Sequence, residues 1–154
     1  MTALDLLVSL IQLFEGCRLL AYLCPAGVPT IGWGSTGPDI QLGMRWVQEH
    51  ADSRMRYDAM LFLTATRAMC PTAQTPGQQA ALADFSYNLG LTRLKGSTLR
   101  RRVLANDWAG ARIELAKWNR GGGRVLVGLV RRRRAEIDLL AKQASTRGTH
   151  HANQ

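Results

Sequence analysis

A chain of 154 residues is the usual size of one domain and can bury about two-thirds of the surface that its unfolded form exposes. Hydrophobic residues make up 46% and charged residues 20%, which excludes a disordered chain, and three cysteines (Cys17, Cys24, Cys70) without metal-ligand spacing argue for free thiols rather than a disulfide scaffold or a zinc site. The formal charge of +9 is concentrated in residues 93–154, where fifteen Lys or Arg face four acids; such a basic half implies a polyanionic partner, whether nucleic acid, an anionic membrane surface or an acidic wall polymer.

Leu4, Leu7, Val8, Ile11 and Phe14 recur at three- and four-residue steps and predict an amphipathic helix that ends at Gly16. The apolar stretch from Ala3 to Phe14 is broken by Asp5, Ser9 and Gln12 and is shorter than the roughly 20 residues of a membrane span; no basic segment precedes it, so neither a span nor a secretory signal is expected. Glu15 falls at the C-terminal end of this helix. A carboxylate there meets the negative pole of the helix dipole, an unfavourable placement by up to about 1 kcal/mol unless a cation or a proton relieves it.

From Tyr22 to Pro38, Pro and Gly punctuate short runs such as Val28 to Trp33, the pattern of hairpins and tight turns. Met44 to Met69 contains neither Pro nor Gly and repeats apolar residues at Val47, Ala51, Met55, Ala59, Phe62 and Leu63, which predicts one long helix stopped by Pro71. Thr75 and Pro76 open a helix that runs to Leu89 and is closed by Gly90. Ser97 caps another to about Ala105, and Asn106 or Asp107 caps the next, through Trp118. After a break at Gly121 to Gly123 the last helix spans Val125 to Lys142, and the tail from Ser145 to Gln154 is expected to fray. The fold class expected is α+β, mainly α: one domain over 1–154, with a β-rich lobe at about 15–42, a connecting helix at about 43–70, a helical lobe at about 71–143 and a flexible tail at 145–154.

A glycosidase needs an acid to protonate the leaving oxygen, and a nucleophile or a water-holding group on the other face of the sugar. Glu15, on a helix end beside a glycine-rich hairpin region, is placed to be that acid. The run Phe14-Glu15-Gly16-Cys17-Arg18-Leu19-Leu20-Ala21-Tyr22 continues through Cys24 into Thr30-Ile31-Gly32-Trp33-Gly34-Ser35-Thr36. Farther on come Ala83-Asp84-Phe85-Ser86-Tyr87-Asn88-Leu89-Gly90, Ser97-Thr98-Leu99, Lys117-Trp118-Asn119, and Gly128-Leu129 with Arg131 to Arg134, Ala135 and Glu136.

These segments resemble the phage lysozyme family, whose pattern is a Glu, eight residues, an Asp or sometimes a Cys, five residues, and a Thr; Glu15, Cys24 and Thr30 stand at that spacing. The resemblance covers about residues 4 to 142. It implies a two-lobed lysozyme-like fold and an endolysin that hydrolyses the β-1,4 bond after N-acetylmuramic acid in peptidoglycan, with Glu15 as general acid, Cys24 and Thr30 holding the attacking water, and inversion at the sugar. No metal or organic cofactor is implied. Localisation is expected in the host cytoplasm, with action on periplasmic peptidoglycan after release, as a monomer.

Two departures from the family pattern stand out. An unperturbed thiol, with a pKa near 8.5, is a poorer base at neutral pH than a carboxylate, and a neighbouring Glu15 carboxylate is expected to raise it further. Cys24 is thus read as orienting water more than as a full base, or as a small bystander thiol. Ser35 replaces a histidine found in many relatives, which puts one local hydrogen bond in doubt.

By the same resemblance Trp33, Tyr87 and Asn88 are candidate substrate contacts: Tyr87 stacks on a sugar ring, and Asn88 donates to and accepts from an acetamido group. Asn88 also reads as a helix C-terminus ahead of Gly90, and Trp33 as hairpin core. Trp46, Trp108 and Trp118 read as helix-packing residues. Either Arg132 or Arg133 can pair with Glu15, and Arg131 to Arg134 also give the basic half a route to an anionic membrane or lipopolysaccharide surface. A basic nucleic-acid module lacks the groove-reading or aromatic-interleaved motifs such modules carry, so no nucleic acid is expected. A lytic transglycosylase, which uses a lone Glu and adds no water, is the enzymatic alternative, and Thr30 argues for hydrolysis.

Overall fold

The computed structural model describes residues 1–141; the tail expected at 145–154 and the last residues of the helical lobe lie outside them. Helix α1 (Ala3–Phe14) starts on a capping box in which the Thr2 hydroxyl accepts from the Asp5 amide and the Asp5 carboxylate accepts from that of Thr2. Its apolar stripe, Ala3, Leu7, Val8, Leu10 and Ile11, is buried. Strands β1 (Arg18–Leu23) and β2 (Pro29–Gly32) pair antiparallel, Tyr22 opposite Thr30 and Leu23 opposite Pro29, with a register irregularity between Arg18 and Tyr22.

The long helix α2 (Gln48–Met69) begins four residues later than the pattern predicts. Met44 to Trp46 instead lie along β1, the Ala21 amide donating to the Met44 carbonyl at 2.9 Å and the Trp46 amide to that of Leu19 at 2.8 Å. The β-rich lobe therefore runs past residue 42 to 46. Its core is Ala21, Ile31 and Ile40, with Met44 and Trp46 packed against it, so Trp46 serves this lobe rather than helix packing.

Helix α3 (Pro76–Leu89) has the predicted start, Thr75 and Gln78 forming a capping box with Pro76 in the first turn. Ala80 to Ser86 are all buried, so α3 is the central helix of the main core and is covered on every side. At Gly77, any Cβ would sit 2.6 Å from the Leu139 carbonyl oxygen; only glycine lets α3 approach the last helix this closely. A short helix α4 (Leu91–Gly96) precedes α5 (Thr98–Leu104), which Ser97 caps, and Asp107 caps α6 (Trp108–Ala116). Trp118, past the end of α6, meets Phe85 edge-on at 5.3 Å.

The glycine run does more than break the chain: β3 (Arg120–Gly121) and β4 (Arg124–Val125) form a minimal hairpin, turned by Gly122 and Gly123 at φ values of 58° and 78°. Helix α7 (Val127–Ala141) follows, two residues later than predicted. The result is a mainly helical α+β fold with a small β lobe, as expected from the sequence. No helix among the described residues is long and apolar enough to cross a membrane.

Candidate active site

Glu15 is the C-cap of α1: its backbone has turned to an extended conformation (φ −92°, ψ 138°) while its amide still donates to the Ile11 carbonyl at 2.8 Å. The last turn of α1 contains no basic residue, so the cation that relieves the helix pole comes from elsewhere. It is Arg132 on α7, whose Nη1 donates to Glu15 Oε1 at 2.7 Å.

Arg132 is itself 4% exposed and grips the fully buried Asp84 of α3 with a two-bond fork, Nε to Oδ2 at 2.8 Å and Nη2 to Oδ1 at 2.7 Å. Burial opposes the guanidinium charge, but the Asp84 fork and Glu15 outweigh it, and the Arg132 pKa is raised. Because Asp84 already balances that charge, Glu15 meets a cation that has another anion to satisfy.

The neighbouring Arg133 is also buried. Its Nη2 donates to Asn88 Oδ1 at 2.9 Å and to Glu136 Oε1 at 2.8 Å, and its guanidinium lies over the Phe85 ring at 5.3 Å. Three carboxyls (Glu15, Asp84, Glu136) thus share two guanidiniums. Burial, reinforced by the charge of Asp84, pushes the Glu136 carboxyl well above the usual carboxylate range.

The second oxygen of Glu15 faces the hairpin lobe. At Gly34 (φ +84°) a Cβ would stand 3.4 Å from Glu15 Oε2, so the glycine both permits the turn and leaves that oxygen uncovered. Glu15 lines two cavities. One, of about 880 Å³, is also bordered by Asn88, Arg131, Arg132, Arg134 and Leu129. The other, of about 460 Å³, is bordered by Arg18, Tyr22, Leu23 and Pro25.

Leu23 and Pro25 flank Cys24, although Cys24 and Thr30 are not themselves among the residues lining either cavity. The hairpin tip places both residues locally. The Cys24 amide donates to the Val28 carbonyl at 3.0 Å, the Gly27 amide closes the turn on the Cys24 carbonyl at 2.8 Å, and the buried Thr30 donates its hydroxyl to the Val28 carbonyl at 2.9 Å. The thiol pKa is lowered, not raised as expected from Glu15: the hydrogen bond from the Val28 backbone is the largest cause, burial opposes it, and smaller hydrogen bonds from Ala26 and the Thr30 hydroxyl add to the lowering. Thr30 has one hydroxyl proton, so it serves the Val28 carbonyl or the thiolate, not both at once.

Trp33 and Tyr87, like Cys24 and Thr30, are not among the residues lining either cavity. The Tyr87 hydroxyl donates to the Trp33 carbonyl at 2.7 Å and its ring packs on Phe62 at 5.3 Å, while Trp33 Nε1 donates to Asp52 of α2 at 2.7 Å. The two aromatics brace the hairpin lobe against α2 and α3. Burial, then the charges of Asp58 and Glu15, raise the Tyr87 phenol, which stays a neutral donor. Ser35 makes its own bond, donating to Asp58 Oδ2 at 2.9 Å.

Sequence reasoning assigns Asp84 no role. Its signal is a lone acid inside the apolar run from Ala80 to Phe85, and a charge on a buried helix face demands a partner.

Comparison with known proteins supplies the family context. The model of the family described as phage lysozyme matches residues 12–136. The endolysin of Bacillus phage B103 is 37% identical over 137 residues, which is 86% of this chain and 51% of that protein, so the chain spans about half the length of this relative. The endolysin of Acyrthosiphon pisum secondary endosymbiont phage 1 is 34% identical over 131 residues, 82% of this chain and 89% of that protein. Among solved structures, the muramidase domain of SpmX from Asticaccaulis excentricus aligns with a TM-score of 0.80 at 32% identity, over 89% of this chain and 95% of that one.

Proposed function

The chain belongs to the phage lysozyme family of glycoside hydrolases, and from that membership and the site geometry we propose that it is an endolysin cutting the β-1,4 bond between N-acetylmuramic acid and N-acetylglucosamine in bacterial peptidoglycan. The observation that carries this reading is the position of Glu15, a half-buried carboxyl at the junction of two cavities with one oxygen tied to Arg132 and the other open toward Gly34. The open oxygen delivers the proton to the leaving sugar. Arg132 holds the carboxyl in its rotamer, and the two-bond fork to Asp84 fixes Arg132 in turn.

On the other face, Cys24 and Thr30 hold the attacking water, and the reaction inverts the sugar. The hairpin amides lower the Cys24 thiol pKa, which favours the thiolate form that accepts a hydrogen bond from that water. Asn88 binds the sugar chain in the larger cavity. The protein acts as a monomer, is made in the host cytoplasm and reaches periplasmic peptidoglycan after release. The exposed Arg131 and Arg134 at the cavity rim draw it onto anionic wall, membrane or lipopolysaccharide surfaces.

Glu15→Gln tests the reading. The amide cannot donate a carboxyl proton, so clearing of a suspension of purified sacculi should fall about 100-fold or more while the circular dichroism spectrum is unchanged. A folded variant that keeps more than about a tenth of the wild-type rate contradicts the assignment.

A further inference from the structure

Asn88 sits at the end of α3 with its side chain at the larger cavity, and its oxygen is already committed. A guanidinium has five N–H donors and no acceptor, so the atom of Asn88 that meets Arg133 Nη2 at 2.9 Å must be the carbonyl oxygen, whichever way the amide is drawn. Arg133 cannot swing away to release it: the side chain is 1% exposed, lies over Phe85, and is held by Glu136, which is fully buried. The NH2 end of Asn88 is left as the group that can meet a ligand in the cavity it shares with Glu15.

We propose that Arg133 and Glu136 are positioning residues that lock the Asn88 carboxamide with its NH2 toward the cavity, so that the site selects sugars bearing a carbonyl acceptor, the N-acetyl substituent. The inference rests on the muramidase reading and adds to it the buried pair that orients Asn88. The sequence alone allows Asn88 both to donate and to accept; the buried pair removes the acceptor. The protonated amine left by removing the acetyl group offers only donors to a group that can only donate, and the site rejects it for want of a bond rather than by size. The Glu136 carboxyl, pushed up by burial and by Asp84, acts here through an oxygen rather than through its charge, so an uncharged amide at the same place can do the same work.

The experiment compares cleavage of purified sacculi with cleavage of the same sacculi after enzymatic removal of their N-acetyl groups. Wild type should prefer the acetylated wall by at least about threefold in kcat/KM, the worth of one net hydrogen bond. Asn88→Asp keeps a partner for Arg133 but has no NH2, and should lose the preference through KM with kcat little changed. Glu136→Gln should retain the preference and Glu136→Ala should lose it, whereas a merely structural role would slow both substrates alike. Should Glu136→Ala not fold, the side-chain amide protons of Asn88 answer the same question by NMR. In the Glu15→Gln protein they should shift on adding an N-acetylated muropeptide and not its deacetylated form; no shift overturns the proposal. An Asn88→Asp enzyme, or a folded Glu136→Ala enzyme, with the wild-type preference also overturns it. Wild type that cuts neither wall sinks the muramidase reading instead.

Discussion

The wall that carries Glu15 and the wall that carries Cys24 and Thr30 are built in opposite ways. Glu15 is held by Arg132, 117 residues away in sequence, which is held in turn by Asp84, 48 residues back, so α1, α3 and α7 must all be docked before the acid is in place. Cys24 and Thr30 are fixed by bonds within a single hairpin, the Cys24 amide and the Thr30 hydroxyl both donating to the Val28 carbonyl. The proposed acid is therefore coupled to global folding and the proposed water-holding pair to a local turn. Damage to the first wall should appear in stability as well as rate, and damage to the second in rate alone.

The largest effect expected from this contrast is at Asp84. Removing it in Asp84→Ala leaves Arg132 buried with only Glu15 to pair, and breaking a buried ion pair on one side costs about 3–5 kcal/mol. Urea unfolding should show that loss, and a variant within about 1 kcal/mol of wild type would mean that the charge lattice is not what holds the acid wall.

At Cys24, by contrast, unfolding curves should hardly move while rates do. Cys24→Ala should lose activity, and Cys24→Asp should keep or raise it, because a carboxylate is ionised at pH 7 and accepts the water's proton better than a thiol. The pH profile gives the sign: a base works when deprotonated, so the wild-type rate should climb as pH rises toward the lowered thiol value, and Cys24→Asp should move that climb down to the carboxylate range. Cys24→Ala cutting at the wild-type rate would return the role to Thr30 or the backbone.

Tyr87→Phe probes the brace between the lobes. It removes the hydroxyl from the Trp33 carbonyl and should cost about 1 kcal/mol by thermal unfolding, with the kcat of the folded enzyme close to wild type. A large change in kcat without one in stability would instead assign Tyr87 to the substrate. The smallest effect is expected at the exposed rim. Activity should fall with ionic strength, and neutralising Arg131 and Arg134 together should flatten that dependence, since screening acts over about 8 Å at 0.15 M. An unchanged salt profile would leave the two arginines a role in solubility only.

The same contrast decides what could be read from the sequence. The Glu15, Cys24 and Thr30 spacing, the Thr75-Pro76 helix start and the hairpin punctuation are local patterns with local causes. Which arginine meets Glu15 is not local: four consecutive arginines on a helix point in four directions, and only the packing of α7 against α3 chooses Arg132 for the acid and Arg133 for Asn88. Met44 to Trp46 lack Pro and Gly and read as helix, yet pairing with β1 overrides that propensity. Trp33 and Tyr87 carry rings that suit a sugar or a core equally well, and their hydrogen bonds to Asp52 and to the Trp33 carbonyl, partners distant in sequence, are set by the packing of the hairpin lobe on α2 and α3.

Mass spectrometry of the muropeptides released from purified sacculi in water enriched in oxygen-18 tests the central claim most directly. Hydrolysis by a Glu15 acid and a water held at the hairpin predicts reducing N-acetylmuramic acid ends that carry one heavy oxygen, with none released by Glu15→Gln. Anhydro-muramic ends without heavy oxygen would show that no water attacks and that the enzyme is a transglycosylase.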